Sequence, residues 1–189
     1  MDVNPIIDYF YPQDDDLKRL LLRHSRQVCD KALALLDTIP PGRPAPDREV
    51  VRAGALLHDI GIRGCAAPDI FCTGDKPYLQ HGIIGAQMLR DYGREHGTDL
   101  ETYARVCERH TGAGLTAAEI RAGGLPLPEK DFLPETPEEK LICLADKFFS
   151  KSGKMQEKPL DKVRRSITKF GAEPAARLEA MLAMFVLVS

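Results

Sequence analysis

No stretch of this chain approaches the ~20 apolar residues that a membrane-spanning helix needs, so no membrane role is expected. There is no marked charge excess either. Lys and Arg number 26 against 28 Asp and Glu, a net charge of −2. That balance carries no strong nucleic-acid signal, because a phosphate backbone selects clustered positive charge. Cysteines are few: Cys29, Cys65, Cys72, Cys107 and Cys143. Their odd number and the lack of any Cys-x-x-Cys exclude a disulfide framework and a zinc knuckle, and leave the reduced thiols of a cytoplasmic protein. Residues 1–16 are acidic and lack a basic start followed by an apolar stretch, so they are not read as a signal peptide. Repeats and low-complexity tracts are absent. Period-two alternation is scarce, which removes most β architectures.

What the chain does have is enough apolar content, 43% of 189 residues, for one ordinary core. Helical spacing dominates, and the expected fold is an all-α, single-domain helical bundle. Residues 1–13 read as an extended lead with Pro5 and Pro12, residues 14–158 as the main helical domain, and residues 159–189 as C-terminal helices packed on it. Asp14 to Asp16 offer caps for a first helix, along which Leu17, Leu20, Leu21, His24 and Val28 share a face. Asp47 caps a second, with Gly61 as a natural stop. Residues 62–77 read as a loop. A third helix starts near Pro77 and carries His81 on its apolar stripe. Thr98-Asp99-Leu100-Glu101 reads as a capping box for a fourth, with His110 on its inner face. Thr116 and Glu119 open a short helix. Thr136-Pro137-Glu138-Glu139 is the strongest start signal, and its helix carries Asp146. Pro159 and Pro174 each begin one more.

The chemistry concentrates in few residues. His58-Asp59 ends the apolar run Ala55-Leu56-Leu57 and is followed by Ile60-Gly61. Four of the five histidines, His24, His58, His81 and His110, fall where a bundle turns them inward. Taken alone, each of His24, His81 and His110 reads more often as a core histidine with one hydrogen bond than as a ligand. Asp146 resists that reading: a carboxylate set in Leu141-Ile142-Cys143-Leu144-Ala145 is costly to bury unless it is paired or coordinated. Four inward imidazoles and two inward carboxylates explain one another if they share a cation. Ligands drawn from separate helices would also clamp the bundle, so metal loss is expected to cost stability.

The order His…His-Asp…His…His…Asp over residues 24–146 resembles the HD-domain superfamily of metal-dependent phosphohydrolases, and His58 to Gly61 resembles its HDIG subgroup. The resemblance implies a first metal on His24, His58, Asp59 and Asp146. Asp59 would bridge to a second held by His81 and His110. Mixed imidazole and carboxylate ligation suits several divalent metals, and the family likeness favours iron or manganese over zinc, nickel or magnesium. His110-Thr111-Gly112-Ala113-Gly114 looks like the equivalent stretch in small HD proteins, including some that cleave symmetrical dinucleoside tetraphosphates. A Gly-Tyr-Pro segment is missing, so cyclic di-GMP cleavage is not expected. The implied reaction is hydrolysis of a nucleotide or other phosphate ester or anhydride through a metal-bound hydroxide, with His58, Asp59 and Asp146 as the catalytic ligands. Two other readings stay open: a mixed-valent di-iron oxygenase, and a nucleotide-binding regulatory module.

A small phosphorylated substrate needs further cations. Arg63, two residues past Gly61, is the first expected phosphate contact and Lys76 the second; each reads equally as solvated. Residues 62–77 and Thr111 to Pro134 are the expected pocket walls. Lys147, Lys151, Lys154 and Lys158 recur at helical spacing and read as a solvated face, with steering of an anion as the other option. Cys107 and Cys143 read as core fillers and His96 as surface. Leu178, Met181, Leu182 and Phe185 form a stripe for core packing or for a homo-oligomer contact.

Overall fold

The computed structural model describes residues 1–40 and 42–185. Nine α-helices among the described residues build the molecule: α1 (Asn4–Phe10), α2 (Asp16–Asp37), α3 (Arg48–Leu57), α4 (His81–His96), α5 (Glu101–Arg109), α6 (Ala117–Gly123), α7 (Pro137–Lys147), α8 (Leu160–Thr168) and α9 (Ala172–Phe185). The expected all-α architecture is the observed one. A two-residue antiparallel pairing, Ala66–Ala67 with Cys72–Thr73, is the only sheet among the described residues.

Local chemistry accounts for most helix starts. Asp15 accepts the Lys18 N–H at the head of α2, and Asp47 accepts those of Glu49 and Val50 at the head of α3. Reciprocal capping boxes, Thr116 with Glu119 and Thr136 with Glu139, open α6 and α7. Three expectations fail. The N-terminal lead is not extended, because Pro5 stands in the first turn of α1, where its missing N–H and fixed φ are tolerated. Val3, Ile6, Ile7 and Tyr11 then bury one stripe. Thr98 also caps nothing: its N–H closes α4 onto the Gly93 carbonyl past left-handed Gly97, and α5 starts three residues later, at Glu101. The 62–77 stretch is likewise no plain loop, since it holds 3₁₀ turns and the small hairpin, with Ile70 and Cys72 buried.

Helix α3 is the axis of the packing. Val51 and Ala55 face an apolar cluster built with α2, α7, α8 and α9, whereas Ala53 and Leu57 face a second one built with α1, α4 and α5. Arg48 and Glu49 keep the outer face of α3 in solvent, and each large apolar side chain on its buried faces contributes about 1.5–3 kcal/mol. Leu178, Met181, Leu182 and Phe185 join the first cluster, so their stripe is core packing. His58 and Asp59 leave α3 between the two clusters, where no water reaches them.

Candidate metal centre

Five elements deliver six side chains to one point. His24 comes from the middle of α2, His58 and Asp59 from just past α3, and His81 from the first turn of α4. His110 follows the end of α5, and Asp146 lies in the last turn of α7. Three helix C-termini therefore converge there, each contributing partial negative charge that favours a cation. The approach is close because of glycine. A Cβ on Gly61 would lie 2.2 Å from the His81 carbonyl oxygen, and one on Gly82 would lie 2.5 Å from that of Cys107. Gly61 thus acts not as a left-handed helix stop but as the bare surface on which α4 rests. Tyr11 of α1 secures the same turn, donating its hydroxyl to the Ile60 carbonyl at 2.7 Å and accepting the Arg63 N–H.

The imidazoles are oriented by their own backbone. Nδ1 of His58 lies 2.7 Å from the Ala55 carbonyl oxygen, that of His81 2.7 Å from Tyr78, and that of His110 2.8 Å from Cys107. A carbonyl only accepts, so each Nδ1 carries a hydrogen and each ring turns its Nε2 inward. Asp59 divides its oxygens between two halves. Oδ2 lies 3.1 Å from Nε2 of both His24 and His58, whereas Oδ1 lies 3.5 and 3.4 Å from Nε2 of His81 and His110. Asp146 Oδ1 stands 3.0 Å from His24 Nε2. The donors form two sets sharing Asp59: His24, His58, Asp59 and Asp146; and Asp59, His81 and His110, with ligand atoms within 4.8 Å of one another in each.

These residues fit divalent cations, and the fit rests on what hydrogen bonding leaves undone. His58 Nε2 and both Asp59 oxygens are buried, lie within ion-pair distance of partners, and yet make no hydrogen bond of acceptable angle. His81 and His110 bring their Nε2 atoms to 3.0 Å although both carry the hydrogen on Nδ1. Two lone pairs facing each other at that distance repel unless a positive charge lies against both. A proton is disfavoured there: burial and the neighbouring His110 push His81 down to about 3. In the other half, burial pushes His58 down, but Asp59 and Asp146 outweigh it and bring it up to about 9. Both carboxyls stay well below the usual carboxylate range. Burial works against this, and His58 and Lys151 at Asp59, with Lys147 at Asp146, overcome it.

Two residues that the structure brings to the cluster read as solvated side chains in the sequence. Helix α7 stops at Lys147, so the four lysines do not form one face. Lys147 Nζ lies 2.8 Å from Asp146 Oδ2 and donates to the His110 carbonyl at 2.9 Å. Lys151 Nζ lies 2.6 Å from Asp59 Oδ2. The available signal was a lysine beside an aspartate that already resisted solvation. By contrast, Arg63 is exposed, its guanidinium 5.3 Å from the Tyr11 ring centre, and Lys76 is exposed and paired with Asp75. Neither forms a hydrogen bond or ion pair with the six ligands. Cys107 and Cys143 are buried fillers, their thiols donating to backbone carbonyls, and His96 is exposed and stacked on Tyr92.

A mostly apolar cleft of about 640 Å³ opens next to the cluster. Thr111 and Gly112, directly after His110, form one side of it, and Leu79, two residues before His81, another. Leu115, Leu125 and Phe170 complete it, so the Thr111–Pro134 stretch supplies a wall as expected and residues 62–77 do not.

No helix among the described residues is long and apolar enough to cross a membrane. No solved structure matches this chain. A tRNA (cytidine(56)-2'-O)-methyltransferase of Picrophilus torridus is 37% identical over 131 residues, 69% of this chain but 32% of that protein. An uncharacterized protein of Methanocaldococcus jannaschii is 37% identical over 126 residues, 67% of this chain and 64% of its own. A second tRNA (cytidine(56)-2'-O)-methyltransferase, from Thermoplasma volcanium, is 28% identical over 170 residues, 88% of this chain and 43% of its own. The chain thus spans from about a third to under two thirds of the curated relatives it matches. The family model for the HD domain matches residues 21–150, which contain all six converging side chains. Family model and ligand geometry agree on the same residues, and the chain belongs to the HD-domain superfamily of metal-dependent phosphohydrolases.

Proposed function

We propose that this protein hydrolyses a nucleotide or another small phosphate ester or anhydride, using two divalent cations. The observation that carries this reading is the division of Asp59, one oxygen toward each imidazole set. A carboxylate so placed serves two ions at once, and paired ions are the usual means of in-line displacement at phosphorus. Bound cations would neutralise charge on the phosphoryl oxygens and acidify a water. His24, His58, Asp59 and Asp146 would hold the first, and Asp59, His81 and His110 the second, with iron or manganese as the proposed metals.

The chain's own groups do the rest. Carbonyls behind three imidazoles hold their rings in place, so those rings need not turn when a cation arrives. Lys147 holds the outer oxygen of Asp146 and keeps its inner oxygen aimed at His24. The apolar cleft takes the organic part of the substrate, with Phe170 and Leu115 as flat and greasy walls for a nucleobase. Arg63 and Lys76 remain proposed outer phosphate contacts. Methyl transfer is a property stated for two relatives that extend well beyond the matched part, and nothing in this cluster calls for a methyl donor. The tRNA in their names places RNA-derived nucleotides in the substrate panel.

The test is phosphate release from that panel with Mn(II) or Fe(II) added. Wild-type protein should release phosphate, and Asp59→Asn should lower turnover by about a hundredfold or more while reducing bound metal. Substrate-dependent oxygen uptake without phosphate release would replace this reading by the oxygenase. Tight nucleotide binding without product would replace it by a regulatory module.

A further inference from the structure

The two partly buried lysines at the centre face the carboxylates differently. Lys147 Nζ sits on Asp146 Oδ2, while the opposite oxygen of that carboxylate, Oδ1, faces His24. A cation on the inner oxygen can therefore coexist with Lys147. Lys151 Nζ sits 2.6 Å from Asp59 Oδ2, the very oxygen that faces His24 and His58. An ammonium and a divalent cation compete for that position: both draw on the lone pairs of one oxygen, and like charges that close repel strongly in a low-dielectric site. The segment bearing Lys151 is itself pinned to α2. Gln27 donates to the Met155 carbonyl at 2.7 Å, and Lys31 pairs with Glu157 at 2.7 Å. What can move is the side chain, a flexible four-carbon stem. The face of Tyr78, whose ring centre lies 5.9 Å from Nζ and which stacks on His81, offers the ammonium a second seat at the rim of the centre.

We propose that Lys151 is an exchangeable internal cation: it neutralises Asp59 in the metal-free protein, is displaced when a divalent ion binds, and then grips a phosphoryl oxygen of the substrate. Metal binding and phosphate binding are thereby linked through one side chain. The ion frees the ammonium, and the freed ammonium needs an anion. The inference rests on the metal-centre reading and assigns a phosphate contact that the sequence had placed on Arg63 and Lys76.

Its test compares Lys151→Gln with Lys147→Gln in the full chain, since both remove one positive charge from the same centre. Mn(II) affinity is measured by chelator competition, and inorganic phosphate affinity of the metal-loaded protein by calorimetry. The simple Coulomb effect of losing a charge predicts equal tightening of Mn(II) in the two variants. Exchange predicts that Lys151→Gln binds Mn(II) about tenfold tighter than Lys147→Gln does, while binding phosphate about tenfold more weakly than wild type. Lys151→Arg, which keeps the charge, should stay near wild type in both measurements and guards against a folding defect. Equal Mn(II) affinities in the two Gln variants, or unchanged phosphate affinity in Lys151→Gln, would overturn the exchange and leave the metal centre standing. Absence of Mn(II) binding by wild type would overturn both.

Discussion

At the scale of single residues, the centre depends as much on what is missing from a side chain as on what is present. Gly61 carries no ligand atom, yet α4 rests on its bare backbone, with the Gly85 nitrogen 2.3 Å from where a Cβ would stand. Gly61→Ala should therefore be among the most damaging small substitutions in the chain. Both contacts are backbone, so neither can swing away, and the expected loss is about 3 kcal/mol or more with a parallel loss of bound metal. Urea denaturation read beside metal content checks this, and a variant with wild-type values for both would show that α4 can shift without cost. The sequence marked Gly61 but gave the wrong reason, because a helix-stopping glycine and a contact glycine are written alike. It read the six ligands correctly as inward-facing, since helical spacing alone aims a side chain at a core. It could not aim Lys151, which follows the end of α7 where periodicity no longer applies.

Elements show where local signals suffice. The Thr136 box was legible because its hydrogen bonds join residues three apart, and α7 begins as expected. Its glutamate does more than cap. Glu139 is buried, accepts N–H groups of Glu135 and Thr136, and pairs with Arg105 at 2.9 Å and Arg109 at 3.4 Å. Thr136→Ala should cost about 1 kcal/mol, the ordinary value of a cap. Glu139→Ala should cost more, about 2–3 kcal/mol, because it opens a buried hole and leaves Arg105 and Arg109 with Glu135 as their remaining carboxylate partner. Thermal midpoints of the two variants decide this, and equal shifts would mean that Glu135 alone is enough for the arginines. No local signal revealed the second role, whose partners on α5 are 30 and 34 residues away. Thr98 is the converse case. The box pattern was present, but that N–H finishes α4 on the Gly93 carbonyl, so one local option, the closing of a helix end past left-handed Gly97, prevailed over another, an N-cap worth about 0.5–2 kcal/mol.

For the molecule as a whole, the last helix holds the turn behind the centre. Arg177 of α9 donates to the carbonyls of Ala113 and Gly114 and to both oxygens of Glu119, at 2.7 and 2.8 Å. Burial pushes the Glu119 carboxyl up, but Arg177 and the Thr116 N–H more than offset it, so it lies below its ordinary value. A carboxyl lowered on folding adds stability that is present above its unfolded value, about 4.3, and is lost as pH falls through the folded value. Glu119→Gln should thus be less stable than wild type at pH 7, and the gap should narrow below about pH 4. Denaturation midpoints from pH 7 to pH 3 test it, and a gap that stays constant would place the effect in packing rather than charge. The sequence by itself determined the helices after α1, the inward set of four histidines and two aspartates, and the family likeness, because each is written in spacing and residue type. Only the tertiary structure decided that Asp59 faces two imidazole sets, that Lys147 and Lys151 are interior cations, and that a cleft opens beside His110. Those facts depend on the distances and angles between elements far apart in the chain, which no local pattern encodes.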